Sequence, residues 1–149
     1  MSTEPPVPFQ VLNEIGIIAQ LAGKRLERTL PDGLLLPHFS VLNHFVRRGG
    51  EESPVQLARA FQVTKGAMTN TLQRLEARGL IEIRPDPKDG RAKRVSITDA
   101  GRSLQAEAIA RLAPGLEALR EAFSDERFAA ALPFLQELRI FLDAERDPD

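Results

Sequence analysis

Residues 55–101 read VQLARAFQVTKGAMTNTLQRLEARGLIEIRPDPKDGRAKRVSITDAG, and the spacing of their apolar side chains changes midway. In the first half, apolar residues recur at helical spacing on either side of a short break. Ser53 and Thr64 are residue types that cap helix starts, and Gly79 is typical of the position just past a helix end. The pattern therefore predicts a short helix, a turn and a second helix over 65–78, which together form a helix-turn-helix.

Beyond Gly79 the apolar residues alternate with polar ones at a period of two. One such run surrounds Ile83 and another surrounds Val95, so each predicts a short strand. The polar segment between them, residues 85–92, contains two prolines and an Asp-Gly pair, which favour a turn. We therefore expect an antiparallel hairpin, a wing over 80–98, directly after the second helix.

The sequence on both sides of this module predicts further helices. Residues 1–8 are proline-rich and are expected to be disordered, whereas 9–36 predicts one long helix and a linker that breaks at a Pro-Asp-Gly triplet. Residues 37–98 hold the helix-turn-helix and the wing, and 99–145 predicts C-terminal helices. The expected fold is mainly α (α+β), a winged helix-turn-helix flanked by N- and C-terminal helices.

The C-terminal region is expected to contain two helices that begin after Thr98 and Ser124, both of which are N-cap residue types. Pro114 is expected to kink the first of these helices. Pro133 either kinks the second or marks its effective start. Sequence alone leaves open whether each proline bends its helix or ends it.

The composition excludes several classes of protein. The 149 residues include no Cys, which excludes thiolate metal sites, cysteine nucleophiles and thiol-based oxidant sensing. The two histidines, His38 and His44, lack a clear carboxylate partner, so we favour packing or surface roles and expect neither a metal nor a cofactor. No Ser/His/Asp or paired-carboxylate constellation is present, which argues against an enzyme. No apolar run reaches the roughly 18 residues of a membrane span and no secretory signal is present, so a cytoplasmic protein is expected.

The formal net charge of −1 conceals an uneven distribution of charge. Between Thr64 and Arg94, eight basic and four acidic residues leave +4, whereas twelve basic and seventeen acidic residues elsewhere leave −5. A basic segment suits the dense phosphate charge of a DNA duplex. Mixed charge runs are also common on ordinary solvated surfaces, so the charge by itself favours neither interpretation.

The outward face of the 65–78 helix carries groups that suit a DNA major groove. With Met68, Leu72 and Leu75 directed inward, the opposite face presents short polar side chains, amides and cations. The helix start also offers free N–H groups to a phosphate. The candidate contacts are Thr64, Lys65, Gly66, Thr69, Asn70, Gln73 and Arg74.

The predicted wing carries a second group of candidate contacts. Asp89 and Arg91 are two residues apart across a turn, and we expect Asp89 to hold the Arg91 guanidinium in an extended pose. An Arg at a hairpin tip suits the narrow, negative minor groove, and neighbouring cations suit the flanking phosphates. The candidates are Lys88, Asp89, Arg91, Lys93 and Arg94.

These motifs, in this order, resemble the core of the MarR-type transcriptional regulators. The resemblance lies in the helix-turn-helix, the LEARGLI exit into the hairpin, the Asp-x-Arg of the wing and the Thr-x-x-Gly that follows it. It implies a recognition helix at 65–78, a DNA-contacting wing around Arg91 and a homodimer built from the terminal helices. It also implies release from DNA by a small, often phenolic or anionic, effector.

The apolar content of the terminal helices independently favours a dimer. These helices carry more apolar surface than one small winged module can cover, and soluble monomers rarely leave such patches exposed. A twofold interface would also space two recognition helices along one face of a duplex. The candidate dimerisation residues are Leu12, Ile15, Leu132, Leu135, Leu138, Phe141 and Leu142.

The sequence thus predicts a dimeric, sequence-specific DNA-binding transcriptional regulator, a repressor of a palindromic operator. From the resemblance and the wide apolar face of the first helix, we expect a cleft for an anionic or aromatic effector near His38, Phe39 and Arg47. The alternative is a winged-helix module for protein–protein contact, which would keep the core and lose the exposed basic face.

Overall fold

The computed structural model describes residues 3–146 and shows the predicted mainly α fold with a two-stranded wing. A short 3-10 turn at Pro31–Gly33 follows the first helix. The helices are α1 (Val7–Thr29), α2 (Leu36–Arg48), α3 (Pro54–Ala60), α4 (Lys65–Ala77), α5 (Asp99–Arg111) and α6 (Ala113–Arg146), and the strands are β1 (Ile81–Pro85) and β2 (Lys93–Ile97). The chain divides between Arg111 and Leu112 into two compact units.

The core of the first unit is centred on α2. Val41, Leu42 and Phe45 of this helix are almost completely buried. They belong to one hydrophobic cluster that also takes side chains from α3, α4, the wing and α5. Its other members include Leu57, Met68, Leu72, Leu75, Ile81, Val95, Leu104 and Ala108. Because α3, α4 and the wing all pack into this cluster, their relative positions are fixed by shared apolar burial.

The predicted caps of the helix-turn-helix are confirmed. Ser53 Oγ accepts the Gln56 N–H at 3.1 Å and Gln56 Oε1 accepts the Ser53 N–H at 2.8 Å, which completes a capping box for α3. Thr64 Oγ1 accepts the Ala67 N–H at 3.1 Å and opens α4. Gly79 follows α4 with φ of 70°, a left-handed conformation that glycine adopts without a Cβ penalty.

The hairpin pairs β1 and β2 in antiparallel register from Ile81 opposite Ile97 to Pro85 opposite Lys93. A third short segment joins it, since Glu52 forms an isolated antiparallel bridge with Val95. The Glu52 N–H donates to the Val95 carbonyl at 3.1 Å and the Val95 N–H donates back at 2.8 Å. The base of the wing is therefore tied to the segment that precedes α3.

The Thr-x-x-Gly motif has a structural role at the junction of α4, the wing and α5. The Thr98 hydroxyl donates to the Gly79 carbonyl at 2.6 Å and accepts the Gly101 N–H at 3.0 Å, so Thr98 caps α5 as predicted. A Cβ on Gly101 would clash with the Leu80 carbonyl oxygen and lie 2.8 Å from Ile97. Only glycine permits this approach of α5 to the start of β1.

The structure differs from two of the predicted boundaries. Segment 1–8 lies partly outside the described residues, and α1 already begins at Val7, because a proline is tolerated in the first turn of a helix. The predicted C-terminal region 99–145 is also too long at its start. Helix α5 contributes Leu104 and Ala108 to the core of the first unit, so the division of the chain falls after Arg111.

The second unit consists mainly of α6, which is interrupted at Ser124. Ser124 has φ of 64° and ψ of 153°, so the helix is broken at the predicted residue. An N-cap residue has an extended backbone with negative φ, so Ser124 does not have the geometry of the predicted N-cap. The Arg120 guanidinium spans the break with two bonds to Asp125, at 2.8 and 2.7 Å. Pro114 lies in the first turn of α6, so it does not kink the helix that begins after Thr98, which is contrary to our expectation. Pro133 lies inside α6.

The structure also bears on membrane and metal binding. Among residues 3–146, no helix is both long and apolar enough to cross a membrane. Over the same residues, no group of three or more His, Asp or Glu side chains could hold a metal ion.

Candidate nucleic-acid interface

The candidate residues on α4 lie on one exposed face, opposite the buried Met68, Leu72 and Leu75. This arrangement follows from the helical period, because core residues at spacings of three and four leave the other side of the helix in solvent. The exposed candidates are Thr64, Lys65, Gly66, Thr69, Asn70, Gln73 and Arg74. Within residues 3–146, neither Lys65 nor Arg74 forms an ion pair, so both cations are available to an anionic partner.

The C-terminal part of α4 lies close to His38 at the start of α2. His38 is 8% exposed, and its Nδ1 accepts the Leu35 N–H at 3.2 Å. Burial is the main cause that lowers the pKa of His38, and the positive charges of Arg74 and Arg78 lower it further. The neutral form of His38 is therefore favoured, which agrees with its role as an acceptor at the α2 start.

The wing tip is organised by two aspartates that accept backbone N–H groups. Asp86 Oδ1 accepts the Lys88 N–H at 2.8 Å, and Asp89 Oδ1 accepts the Arg91 N–H at 3.1 Å. These are Asx turns, in which a short acidic side chain folds the chain back on itself. The expectation that Asp89 holds the Arg91 guanidinium is wrong, because its carboxylate faces the Arg91 backbone instead.

The wing cations fall into two groups. Arg94 Nε donates to Asp86 Oδ2 at 3.1 Å and Arg84 donates to Glu82 at 2.8 Å, so both arginines of the strands are paired. The other cations, Lys88, Arg91 and Lys93, are exposed and form no ion pair among residues 3–146. Arg94 was a candidate for a phosphate contact, but its partner in the free protein is Asp86.

A cavity of about 510 Å³ separates α4 from the wing. Thr69 and Gln73 of α4 line one side, and Gly90 and Lys93 of the wing line the other, so the two predicted DNA-contacting elements lie side by side. Arg84 and Glu76 supply charge of both signs, and Leu72, Ile83 and the prolines at 54 and 85 supply apolar surface.

The effector cleft predicted near His38, Phe39 and Arg47 stays a prediction, since the structure shows only how exposed each of these residues is in the single chain. His38 and Phe39 are buried, whereas Arg47 is exposed in the last turn of α2. Arg47 lies nine residues after His38, about two and a half turns, so the two side chains leave opposite faces of the helix.

Two residues that stabilise the wing, Asp86 and Glu52, are not among the residues predicted from the sequence. Asp86 organises the tip, and the Asp-x-Lys spacing of an Asx turn is a signal that would have indicated it. Glu52 carries the bridge to Val95, and its Oε1 lies 2.9 Å from His44 Nε2 and 3.5 Å from Arg48 Nε. No local pattern indicates the bridge between Glu52 and Val95, because these two residues are distant in sequence.

The exposed polar face of a second helix, with a hairpin beside it, defines the chain as a winged helix-turn-helix protein. A model of the MarR family matches residues 32–92. The transcriptional regulator BldR from Sulfolobus solfataricus is 30% identical and superposes with a TM-score of 0.71, over 88% of this chain and 93% of that one.

Two structures from E. coli are also similar. Apo MarR is 24% identical, with a TM-score of 0.73 over 92% of this chain and 98% of that one. A MarR mutant complexed with operator DNA is 25% identical, with a TM-score of 0.67 over 89% and 94% of the two chains. The chain belongs to the MarR family of transcriptional regulators. Membership of a family of regulators confirms the prediction that it is not an enzyme.

Proposed function

We propose that this protein is a dimeric, sequence-specific DNA-binding transcriptional regulator that represses genes from a palindromic operator. The observation that carries the proposal is the placement, on two adjacent elements, of cations that form no ion pair with any residue from 3 to 146. Lys65 and Arg74 are exposed on α4, Lys88, Arg91 and Lys93 are exposed on the wing, and a cavity of about 510 Å³ lies between the two elements. A helix of this kind fits the major groove, and a basic hairpin beside it reaches the adjacent minor groove.

The similar MarR structure with operator DNA supports the same interpretation, since its fold covers most of this chain. In our proposal Asn70, Gln73 and Arg74 read base edges, because amides and guanidinium groups make the bidentate contacts that distinguish bases. Lys65 and Lys88 contact phosphates, which position the protein without specifying sequence.

The proposed dimer rests on the apolar residues that the single chain leaves exposed. No residue of α1 and no residue of α6 is buried in the described chain. Leu132 is 52% exposed and Phe141 is 60% exposed, values that are unusual for large apolar side chains unless a partner covers them. The proposed interface contains Leu12, Ile15, Leu132, Leu135, Leu138, Phe141 and Leu142.

The alternative function is a winged-helix module for protein–protein contact without specific DNA binding. A module of that kind needs the core and the wing fold but has no need of unpaired cations directed at one surface. The exposed Lys88, Arg91 and Lys93 therefore favour DNA.

Selection of bound duplexes from a random pool tests the proposal directly. The full-length protein is expected to enrich a palindrome whose half-sites are about one helical turn apart, because a twofold dimer presents two equivalent α4 helices. Analytical ultracentrifugation of the same sample should give the molecular mass of two chains, and the Phe141→Asp variant should give the mass of one. Recovery of no common sequence would contradict specific DNA binding, and a single asymmetric half-site would contradict the dimer.

The response to an effector is a separate part of the proposal. The cavity between α4 and the wing is within the size range of small-ligand sites, and the exposed Lys93 in its lining suits an anion. Benzoate, a simple anionic aromatic, is expected to weaken binding to the selected duplex more than acetate at the same ionic strength. Equal effects of the two anions would contradict this part of the proposal. Repression is tested by placing the selected duplex upstream of a reporter gene, where increased expression would contradict it.

A further inference from the structure

The mouth of the loop at the tip of the wing is closed by Asp86, while Asp89 folds the tip itself. The backbone N–H of Asp86 donates to the Ala92 carbonyl at 2.9 Å across the mouth of the loop. Its Oδ1 accepts the Lys88 N–H at 2.8 Å, and its Oδ2 accepts Arg94 Nε at 3.1 Å. One carboxylate thus joins the loop backbone to a side chain of β2.

Asp86 differs from the residues around it in burial and charge. Its side chain is 14% exposed, whereas the tip residues Lys88, Asp89 and Arg91 are all exposed. The Lys88 N–H is the main cause that lowers the pKa of Asp86, and the Arg94 charge lowers it further. The carboxylate is therefore ionised at neutral pH, in the form that accepts both bonds.

The pairing of the strands gives Asp86 a second task. Arg84 and Arg94 are directly opposed in the register of the hairpin, and like charges in that position destabilise a strand pair. Glu82 pairs with Arg84 at 2.8 Å and Asp86 pairs with Arg94, so each arginine has its own acid. The two ion pairs offset the repulsion between the opposed arginines.

We propose that Asp86 is a positioning residue for DNA binding, which fixes the wing-tip backbone so that Lys88 and Arg91 already have their bound arrangement in the free protein. The inference rests on the proposed function. A loop that is ordered before binding loses less conformational entropy when the duplex arrives, so part of the affinity depends on a residue that never touches DNA.

Whether Asp86→Ala raises or lowers the affinity for DNA distinguishes a positioning role from a simple effect of charge. Asp86→Ala removes a negative charge from a surface that faces a polyanion, so charge alone would strengthen DNA binding. Positioning predicts the opposite, a roughly tenfold loss of affinity, because the loop hydrogen bonds are lost. Asp86→Asn keeps an oxygen for the Lys88 N–H and should fall between the wild type and the alanine variant.

Glu82→Gln is the matched control. It removes the same charge from the same hairpin, but Glu82 bonds a side chain of its own strand and no loop backbone. Affinity is measured by fluorescence anisotropy on a labelled duplex from the random-pool selection, about 20 base pairs long, over a series of salt concentrations. The slope of the logarithm of the binding constant against the logarithm of the salt concentration reports the number of phosphate contacts. In Asp86→Ala this slope should fall by the equivalent of about one contact, whereas in Glu82→Gln it should stay unchanged or become slightly steeper.

Hydrogen exchange in the free proteins gives a readout that needs no DNA. The Lys88 and Arg91 amides should exchange faster in Asp86→Ala, while the α4 amides keep the protection of the wild type. Affinity in Asp86→Ala that equals or exceeds that of the wild type would overturn the inference, and so would weaker affinity with unchanged amide exchange. Failure of the wild type to bind any duplex would instead reject the proposed function, so the two failures are distinguishable.

Discussion

Helix α4 and the wing both expose cations, but they hold them in different ways. On α4 the backbone of the helix sets the direction of Lys65 and Arg74, and neither side chain needs a partner among residues 3–146. In the wing, the directions depend on acids, since Asp86 and Asp89 fold the tip through backbone N–H groups. A regular helix is rigid by its own hydrogen bonds, whereas a seven-residue loop (residues 86–92) has to be organised by side chains.

This difference predicts how each element fails. A substitution on the exposed face of α4 should remove one contact and leave the rest of the face in place. A substitution among the wing acids should displace several contacts together.

Gly101→Ala should disturb both elements at once, because the new Cβ would clash with the Leu80 carbonyl where α4 leads into β1. We expect the free energy of unfolding to fall by about 3 kcal/mol, the cost of overpacking a close backbone contact. Urea unfolding followed by circular dichroism measures this change.

Gly66→Ala is the control for that experiment, since a Cβ at Gly66 meets nothing within 4 Å. It should leave stability unchanged or raise it by about 0.5–1 kcal/mol, because alanine is the better helix residue. Equal stability of the two variants would show that the α5 junction is looser than the structure indicates.

Arg91→Ala should give the largest loss of DNA affinity from a single exposed side chain. We expect a weakening of roughly 30-fold, about 2 kcal/mol, because an Arg at the hairpin tip suits the minor groove. The melting temperature should change little, since the Asp89 carboxylate bonds the backbone N–H of residue 91 and alanine keeps that N–H. Arg111→Ala at the end of α5 removes the same charge as a control, and matching losses in the two variants would assign the effect to bulk charge.

Arg74→Ala should weaken binding by about tenfold and leave the wing unaffected. The dependence of this loss on the DNA sequence shows whether Arg74 contacts a base or a phosphate. A base contact predicts relaxed specificity at one position of the selected site, whereas a phosphate contact predicts uniform weakening and a smaller salt slope. Repeating the random-pool selection with the variant distinguishes the two, and wild-type affinity for every duplex would remove Arg74 from the interface.

The smallest expected effect is a pH dependence of stability from His38. Burial lowers the pKa of His38 below its ordinary value of 6.5, so the unfolded chain binds a proton at a higher pH than the folded chain does. Stability should therefore fall as the pH drops through about 6.5 and level off below the folded pKa. His38→Asn keeps an acceptor for the Leu35 N–H without a titrating ring, and it should flatten this part of the profile. An unchanged profile in His38→Asn would assign the pH dependence to other groups.

Much of the fold follows from local pattern. The caps at Ser53, Thr64 and Thr98 and the left-handed Gly79 are all present, because capping and turn chemistry depend on neighbours a few residues away. The exposed face of α4 follows with equal directness from the helical period. The sequence analysis assigned α5 to the C-terminal region, whereas Leu104 and Ala108 of α5 pack into the core of the first unit. Apolar periodicity indicates that these residues are buried but not which partner covers them.

The order of the winged helix-turn-helix elements, the basic segment and the polar face of α4 all follow from local sequence, since each depends on residues close together in the chain. Which charges are available to a partner follows instead from packing. The tertiary structure pairs Arg94 with Asp86, directs Asp89 to the backbone, buries His38 and Phe39 and ties Glu52 to Val95. Those outcomes depend on distances between residues that only the packed chain brings together, and charge counts along a sequence contain no such distances.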